Sequence, residues 1–532
     1  MTDGAHAAID ILRDIFFRNR DEIFLIDVGT GKEFTYRDIE HISKKIASFL
    51  LRLGVVRGDR VAFLLPNSIE GSLLYFSCMN IGAVIVPINQ RLLAEEITSI
   101  LAEAGPTIMI TTPMLLKEKQ GIVEQNPDVR VVTIPVRCTA DAKALQDKGT
   151  AQFDFWAEVE RNKPFAERSF HDVGDEDMLA LIYTSGTTSK PKGILVRFDK
   201  LIRNGLMFAR LFKIPRGVRF LGTFSQGYLG GLYNTLLFQF LAEGSVALDA
   251  GFTPDVAMRF WDTVEKFNVT ALWPAPSMLA MILAIDRGQK GETYAPRHIK
   301  YVFTGTAPLG APLKAAFEKR YGVLVCENYA LSETFFISTN TENALPHKGV
   351  GTVVPGCHVS VLGENGVERS RSAPGEIVVE SEYMATGYYG DPDQTKAQFR
   401  GGKFYTGDVG YMDADGYLFV TDRKKDIIIR GGINVSPKEI EEVIAQVGGV
   451  REVAVVGLMH SVSGEEIVAA VVGNDSLHAN EILLACSKHL APFKVPSRIF
   501  FVRELPKAPT GKVQKQKVKE LVQELAARPQ AE

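Results

Sequence analysis

The feature that most limits how this chain can fold is an alternation of short apolar runs with helical patterns up to about residue 350. The apolar runs are typical of buried strands and occupy Arg60–Pro66, Pro106–Thr112, Val129–Val136, Met178–Thr184 and Lys300–Gly305. Helical patterns lie between them at Ser68–Asn80, Asp199–Phe212 and Gly310–Tyr321. Strands that are apolar throughout and alternate with helices favour parallel sheets covered on both faces. We therefore predict layered α/β structure in this part of the chain.

The pattern changes in the remaining third. Between Val350 and Phe419 the apolar runs are shorter and separated by glycines, which predicts antiparallel strands and a small β-barrel. After Arg423, short apolar runs alternate with helical patterns that begin at Pro437 and Asn480, which predicts a small α+β unit. The fold class is therefore α/β. We predict a large N-terminal domain at residues 1–424, with two α/β layered subdomains and the β-barrel, and a small α+β C-terminal domain at residues 425–532.

Length and composition agree with several cores and a small-molecule ligand. A chain of 532 residues suggests three to four core-forming units at about 150 residues each. The 60 basic and 63 acidic side chains nearly cancel, so charge gives no argument for nucleic acid or a membrane surface. The five cysteines form no CxxC pair, and neither a signal pattern nor a long apolar run is present. We expect a soluble, cytoplasmic protein with reduced cysteines.

The segment Tyr183–Gly193 is the sharpest local motif, and it directly follows a predicted strand. Glycines and small hydroxyl residues allow backbone N–H groups to converge on an anion, and a lysine adds charge. The residues of this candidate phosphate loop are Thr184, Ser185, Gly186, Thr187, Thr188 and Lys192. The Walker A pattern cannot be laid on the segment. Taken alone, the segment is also compatible with a flexible polar turn.

The loop resembles the phosphate loop of the adenylate-forming superfamily, which comprises acyl-CoA synthetases, peptide-synthetase adenylation domains and beetle luciferases. Ser189 stands where most members have glycine. Further motifs of that superfamily follow in its order at Thr304–Leu309, Asn328–Glu333, Tyr405–Asp408, Asp422–Asp426 and Leu505–Val513. The resemblance runs from Phe34 to Lys512 and is most like a free-standing acyl-CoA synthetase.

The resemblance implies roles for individual residues in ATP binding. Ser332 would contact the α-phosphate, and Glu333 would help to hold Mg²⁺, a cation that prefers carboxylate and phosphate oxygens. Asp408 would accept hydrogen bonds from the ribose hydroxyls, with Arg423 beside it. The other implied nucleotide contacts are Thr306, Ala307, Pro308, Asn328, Tyr329 stacked on adenine, and Ala330. In isolation, Glu333 would more often be a surface acid and Asp408 a turn residue.

Lys512 corresponds to the catalytic lysine of the superfamily, and Lys192 is the second cation assigned to catalysis. When a carboxylate oxygen attacks the α-phosphorus, negative charge builds on the phosphate oxygens and pyrophosphate leaves. A lysine that bridges the carboxylate and the phosphate stabilises this change. Outside its Pro-x-x-Pro-Thr-Gly-Lys context, a lysine in so basic a tail would face solvent.

The segment Arg430–Glu441 bears on the acyl acceptor, because it resembles a stretch common in acyl-CoA synthetases. In those enzymes the small domain turns about a hinge, here Lys425, and brings a glycine pair, here Gly431 and Gly432, to the active site. This implies CoA as acceptor. An amine or the thiol of a carrier protein remains an alternative. A β-turn before a helix that begins with proline would explain the same residues structurally.

Two segments are implied to line the acyl pocket, and they supply Gln226, Tyr228, Gly230, Pro276 and Gly305. They contain no Lys, Arg, Asp or Glu, so a second charge on the acid would be buried without a partner. We therefore expect a hydrophobic monocarboxylate, whether fatty, aryl or alicyclic. A histidine found in many relatives is missing from the first segment, and Phe198 replaces another one after the phosphate loop.

Two other readings stay open from the sequence. A luciferase-type oxygenase would use the same adenylate, and a protein with a decayed site would only bind ligands. A decayed site is disfavoured because each position that the chemistry depends on keeps the residue type it needs. These positions are Lys192, Glu333, Asp408, Arg423 and Lys512. We expect an enzyme that uses ATP, Mg²⁺ and CoA and exists as a monomer or homodimer.

Overall fold

A computed structural model of the chain describes residues 7–135, 151–164, 173–184, 191–341, 348–430, 433–460, 464–508 and 511–527. Within these ranges, none of the helices has the length and apolar character that crossing a membrane would require. The predicted alternation of strands and helices over the first 350 residues is confirmed.

The structure places its strands in four sheets. The earlier strands are β1 Ile23–Asp27, β2 Glu33–Thr35, β3 Arg60–Leu64, β4 Val84–Pro87, β5 Ile108–Thr111, β6 Arg130–Thr133, β7 Ala151–Gln152, β8 Met178–Thr184, β9 Lys192–Arg197, β10 Arg219–Gly222, β11 Ser245–Leu248, β12 Ala271–Leu272, β13 Tyr301–Thr304, β14 Val325–Leu331, β15 Phe335–Thr339 and β16 Thr352–Val353. The later strands are β17 Cys357–Leu362, β18 Gly375–Ser381, β19 Phe399–Arg400, β20 Lys403–Met412, β21 Leu418–Arg423, β22 Ile428–Arg430, β23 Ile433–Val435, β24 Val450–His460, β25 Gly464–Gly473 and β26 Arg498–Phe501.

The helices mostly lie between the strands of the two large sheets. They are α1 Ala8–Arg18, α2 Tyr36–Arg52, α3 Ile69–Ile81, α4 Ala94–Ala104, α5 Pro113–Glu118, α6 Phe155–Arg161, α7 Phe198–Leu211, α8 Phe238–Leu241, α9 Pro254–Met258, α10 Phe260–Lys266, α11 Pro276–Ile285, α12 Lys290–His298, α13 Ala311–Tyr321, α14 Pro392–Gln398, α15 Pro437–Ile444, α16 Ala479–His489 and α17 Lys515–Ala527. A π-helical turn at Gly230–Leu237 leads into α8.

Two largely parallel sheets carry the first part of the chain. One has the strand order β7–β6–β5–β3–β4–β8–β9, in which only the β8–β9 pair is antiparallel among the described strands. The other has the order β16–β15–β14–β13–β12–β10–β11–β1–β2, with a parallel centre and antiparallel ends. Side chains from both sheets and from α2, α3, α7 and α8 share one hydrophobic core, so these helices are buried between the sheets.

The region predicted as a small β-barrel forms a half-barrel, in which β17, β18, β20 and β19 pair in that order and β21 pairs with β20. The predicted small α+β unit contains a sheet of order β23–β22–β25–β24, with β26 parallel to β25. Its two sides are covered by different helices: α15 and α16 pack on one cluster of apolar side chains, and α17 packs on the other through Val518 and Val522. The unit therefore has its own core, and the polypeptide enters it through the turn after β21.

Candidate active site

The candidate phosphate loop connects β8 to β9. Thr184 pairs with Lys192 across the antiparallel strands, so the predicted loop begins and ends at one sheet edge. The ammonium of Lys192 lies 5.7 Å from the ring centre of Tyr388, within cation–π range. Ser185, Gly186, Thr187 and Thr188 lie outside the described residues.

Glu333 follows β14 in the turn that leads to β15, and Ser332 precedes it in the same turn. The hydroxyl of Tyr388 donates a hydrogen bond of 2.9 Å to its carboxylate, and the N–H of Ala385 donates one of 2.8 Å to its main-chain oxygen. Burial raises the pKa of Glu333, while the Tyr388 hydrogen bond and the charges of Arg423 and Lys192 act in the opposite direction. The turn thus fixes a carboxylate within the electrostatic range of two cations.

Asp408 and Arg423 are register partners on β20 and β21. Arg423 Nε lies 2.7 Å from one carboxylate oxygen of Asp408, whose side chain is 4% exposed. The hydroxyl of Tyr329 donates a 2.5 Å hydrogen bond to the other oxygen. Burial raises the pKa of Tyr329, and Asp408 raises it further, so the phenol stays a donor. The carboxylate is held in one orientation from two sides.

Lys512 reaches the same place from the C-terminal unit. Gly511 next to it has a φ of +84°, and a Cβ built on it would lie 2.8 Å from Oγ of Ser277 at the start of α11. A glycine therefore suits this position by both its backbone conformation and its close approach to α11. The side chain of Lys512 is exposed as a whole, but surrounding protein partly desolvates its ammonium. Burial lowers the pKa of Lys512, Arg423 and Lys425 lower it further, and Asp408 and Asp426 oppose them.

Lys425 lies in the turn after β21, and its ammonium is 3.9 Å from a carboxylate oxygen of Asp426. Burial lowers the pKa of Lys425, and the charges of Arg423 and Lys192 add to this effect. The charge effects on these pKa values place seven side chains within electrostatic range of others in the group. They are the positively charged Lys192, Arg423, Lys425 and Lys512 and the carboxylates of Glu333, Asp408 and Asp426. The cations outnumber the carboxylates in this group, an arrangement suited to a polyanion such as a nucleoside triphosphate.

Within the part of the chain that the structure describes, no group of three or more His, Cys, Asp or Glu residues could hold a metal by itself. One carboxylate at Glu333 fits Mg²⁺ nevertheless, because Mg²⁺ in nucleotide sites is held by one or two carboxylates together with substrate phosphates and water.

The other predicted nucleotide contacts lie in the loop after β13 and on β14. The two strands are parallel neighbours. Thr306, Ala307 and Pro308 follow the end of β13, and Asn328 and Ala330 lie within β14. A Cβ on Gly305 would lie 2.9 Å from Oδ1 of Asn328, which explains the glycine there. Thr306 has a φ of +71°, a conformation uncommon for a residue with a side chain and more frequent at ligand sites.

The residues predicted for the acyl pocket lie in two different environments. Gln226 is buried, and its amide group is held by α3: it accepts from the N–H of Ser68 at 3.0 Å and donates to Ser72 at 2.7 Å. These contacts give Gln226 a role in joining α3 to the loop after β10. Tyr228 lies so close to Gly230 that a Cβ there would be 2.5 Å from its ring. Pro276 is the first residue of α11, beside the loop that carries Lys512.

An aromatic stack, consisting of Phe208, Tyr233, Trp273 and Phe336, lies behind this region. The Phe336 ring is 4.1 Å from Phe208, 5.4 Å from Tyr233 and 5.5 Å from Trp273 between ring centres. All four side chains are buried. Because Phe336 follows Glu333 by three residues, the stack lies close to the turn that holds the candidate metal ligand.

Sequence reasoning missed three features of the site. Tyr388 comes from a loop in the half-barrel region and carries no motif that would reveal it. The charge of Arg91, which donates to the carbonyl of Phe252 at 2.8 Å, partly offsets the rise that burial causes in the pKa of Tyr228. Asp422 belongs to the motif Asp422–Asp426, but the sequence gave it no role, and it contacts Ser436 of the small unit. The glycine pair Gly431 and Gly432 lies outside the described residues.

Comparison with known proteins follows the same division of the chain. The family described as AMP-binding enzyme matches residues 14–389, and the AMP-binding enzyme C-terminal domain matches residues 439–512. The chain is 31% identical over 503 residues to the long-chain-fatty-acid–CoA ligase FadD13 of Mycobacterium tuberculosis, covering 93% of this chain and 94% of that one. It is 30% identical over 504 residues to the sulfoacetate–CoA ligase of Cupriavidus necator, covering 94% of each.

A solved structure gives the same result for the fold. The crystal structure of ATP-bound MatB from Rhodopseudomonas palustris superposes with a TM-score of 0.85 at 27% identity, covering 97% of this chain and 99% of that one.

Proposed function

This chain belongs to the AMP-binding enzyme family, and from that premise we propose that it joins a hydrophobic monocarboxylic acid to CoA through an acyl-adenylate. The family is enzymatic, and the curated relatives of this chain are named CoA ligases. The observation that supports the proposal is the position of Lys512, which the C-terminal unit brings within electrostatic range of Arg423 and Asp408.

In the first half-reaction, a carboxylate oxygen of the acid attacks the α-phosphorus of ATP. A bond forms between that oxygen and the phosphorus, the bond to the bridging oxygen breaks, and pyrophosphate leaves. Lys512 stabilises the charge that grows on the phosphate oxygens, and Lys192 supplies positive charge from the phosphate loop. Asp408, oriented by Tyr329 and Arg423, accepts the ribose hydroxyls. Glu333 would hold Mg²⁺ together with the phosphates, and a bound Mg²⁺ would supply charge neutralisation for the pyrophosphate.

In the second half-reaction, the thiol of CoA attacks the acyl carbon, and AMP leaves with the electrons of the broken acyl–phosphate bond. We place the boundary between the two domains after residue 424 and the hinge at Lys425. Rotation about this hinge would withdraw Lys512 and bring Gly431 and Gly432 to the cleft, where the absence of side chains leaves room for a pantetheine chain. An amine or a carrier-protein thiol would attack the same carbon.

The acid must be inferred from this chain, because relatives of nearly equal identity are named for acids as different as a long-chain fatty acid and sulfoacetate. Support for a hydrophobic monocarboxylate comes from the aromatic stack of Phe208, Tyr233, Trp273 and Phe336. These rings fill the space behind the turn of Glu333, which favours a compact aryl or alicyclic acid over a long chain. Among the described residues, Arg91 is the one whose charge acts on the pKa of Tyr228. Arg91 is exposed.

The experiment is a screen with ATP, Mg²⁺ and CoA against benzoate, cyclohexanecarboxylate, hexadecanoate, malonate and alanine. Pyrophosphate release and thioester formation are measured separately. We expect the ring acids to give both products at the highest kcat/KM. Adenylate without thioester would disprove CoA as the acceptor, and faster turnover of malonate or alanine would disprove the acid class. If none of these acids caused pyrophosphate release, the result would contradict adenylation itself.

A further inference from the structure

The two units contact each other at Asp422, three residues before the proposed hinge at Lys425. Asp422 lies on β21 of the half-barrel, and Ser436 caps the N-terminus of α15 in the small unit. The hydroxyl of Ser436 donates a hydrogen bond to Oδ2 of Asp422. The Oγ of Ser436 also accepts a hydrogen bond of 3.2 Å from the N–H of Glu439, so one hydroxyl both caps the helix and joins it to β21.

A second contact supports the first. The ammonium of Lys438 donates a 2.6 Å hydrogen bond to the carbonyl of Val420, two residues before Asp422 on the same strand. From the other side, Lys515 at the start of α17 pairs with Glu441 of α15 at 2.9 Å, and its charge acts on Asp422. The residues that act on Asp422 from the small unit therefore come from α15 and α17, two helices on opposite sides of its sheet.

The environment of Asp422 is unfavourable for a carboxylate. Burial raises its pKa to about 6 and Glu441 adds to the rise, while the Ser436 hydrogen bond and the charge of Lys515 oppose it. At neutral pH the group is ionised and its hydrogen bond to Ser436 is charge-assisted, the stronger kind. A buried carboxylate that gains its partners from the small unit would lose them whenever that unit turns away.

We propose that Asp422 is a positioning residue that, by accepting the hydroxyl of Ser436, holds the small unit in the orientation that places Lys512 beside Arg423 and Asp408. The inference rests on the proposed two-step function. The hinge separates the two partners along the chain, so the rotation that removes Lys512 must also break this contact. Asp422 therefore favours adenylation and must release Ser436 before acyl transfer.

Two nearly isosteric variants at Ser436 test this. Asparagine and aspartate both cap helices well, but only the asparagine amide can donate a hydrogen bond to Asp422. In Ser436→Asp a second carboxylate faces the first. We expect Ser436→Asp to lower the rate of acid-dependent ATP–pyrophosphate exchange about tenfold and to leave acyl transfer from chemically prepared adenylate unchanged or faster. Ser436→Asn should stay within about twofold of the unmodified enzyme in both assays.

A double variant separates repulsion from a general disturbance. Asp422→Ala alone should lower the rate of ATP–pyrophosphate exchange more than the rate of acyl transfer. Adding Ser436→Asp to Asp422→Ala should lower the exchange rate little further, because the facing carboxylate is gone. Equal losses in Ser436→Asp and Ser436→Asn, or equal losses in both half-reactions, would overturn the proposal.

A readout without catalysis keeps the test independent of the function. Trypsin can cut after Arg423, Lys424 and Lys425, and cutting there should be faster in Ser436→Asp than in Ser436→Asn at the same melting temperature. Identical cutting rates would contradict the positioning role. An enzyme that forms adenylate but no thioester would disprove CoA as acceptor, and the exchange and proteolysis comparisons would still decide the role of Asp422.

Discussion

Tyr329 and Asp408 are joined by a 2.5 Å hydrogen bond although 79 positions separate them in the chain. Tyr329 lies at the carboxyl end of the large second sheet, and Asp408 lies on the half-barrel, so the bond connects two structural units. Arg423 holds the other carboxylate oxygen at 2.7 Å. A carboxylate fixed in this way needs no reorientation to accept a diol, which is the basis of the first prediction.

Removing either part of this arrangement should weaken ATP binding. We expect Tyr329→Phe to raise the KM for ATP about fivefold, because it keeps the ring and loses one hydrogen bond to a buried carboxylate. Asp408→Asn should raise it more, since it also loses the ion pair with Arg423. The control is Asp415→Asn, an exposed acid paired with Lys348, which should leave the KM unchanged. Pyrophosphate exchange at varied ATP concentration measures all three.

Lys512→Gln should separate the two half-reactions. Loss of a charge aimed at the transition state commonly lowers a rate about 10²- to 10³-fold, so adenylation should fall by that order. Acyl transfer from preformed adenylate should change much less, because the proposed rotation removes Lys512 from the cleft. Single-turnover assays of each step measure this. Equal losses would argue against two working orientations.

The pH dependence of adenylation should report Lys512. Burial and the nearby cations lower its pKa from 10.5, and its charged form is present below that lowered pKa and lost as the pH rises through it. The kcat/KM for ATP, which reports the free enzyme, should therefore decline at a pH below 10.5. Lys512→Arg, which stays charged, should retain weaker activity without that decline. An alkaline decline that is identical in this variant would assign it to another group.

Asp422 should make thermal stability depend on pH. Its pKa is raised in the folded protein to about 6, so its proton stabilises the fold at low pH, and this contribution is lost as the pH rises from about 4 to 6. The asparagine side chain in Asp422→Asn is neutral at every pH, so the variant does not lose this stabilising contribution as the pH rises. The melting temperature of the variant minus that of the unmodified protein should increase between pH 4 and pH 6.5. A constant difference across this range would contradict the prediction.

The aromatic stack should limit the length of the acid. Phe336→Leu makes room beside Phe208, Tyr233 and Trp273, and we expect the ratio of kcat/KM for hexadecanoate to that for benzoate to rise about tenfold. Phe212→Leu is the matched control, because Phe212 is buried and contacts Phe208 without a described ring contact to Phe336. An equal change in both variants would point to general loosening of the core.

The fold was predictable where local pattern and burial agree. Met178–Thr184 is apolar throughout and forms β8 with those bounds. By contrast, β20 carries two glycines and alternates buried with half-buried residues, so its ten residues show no continuous apolar run. The charged tail gave little sign of α17, because Val518 and Val522, one turn apart, are the only fully buried apolar side chains among the described side chains of this helix.

The site was predictable where a motif carries the chemistry, as at Lys512 and Glu333, whose roles stay predictions. Its supporting contacts were not, because they depend on tertiary structure. Tyr388 contacts Glu333 although 55 positions separate them, and the sequence around neither residue predicts the contact. Gln226 stays a predicted acyl-pocket residue, and its motif gave no sign that its amide is held by Ser68 and Ser72.

The conformation of Phe335 has a consequence for laboratory evolution of substrate range. Its φ of +56° is unusual for a buried aromatic residue, and such strain costs on the order of 1–3 kcal/mol. Mutations that enlarge a pocket normally lose stability. At this position glycine would relax the backbone while it empties space next to Tyr233, so two effects that usually add would oppose each other. The relief offsets only part of the about 3–5 kcal/mol that emptying a buried phenylalanine site costs, so libraries that enlarge the pocket here should lose less stability than libraries that do so at a buried phenylalanine with ordinary backbone angles.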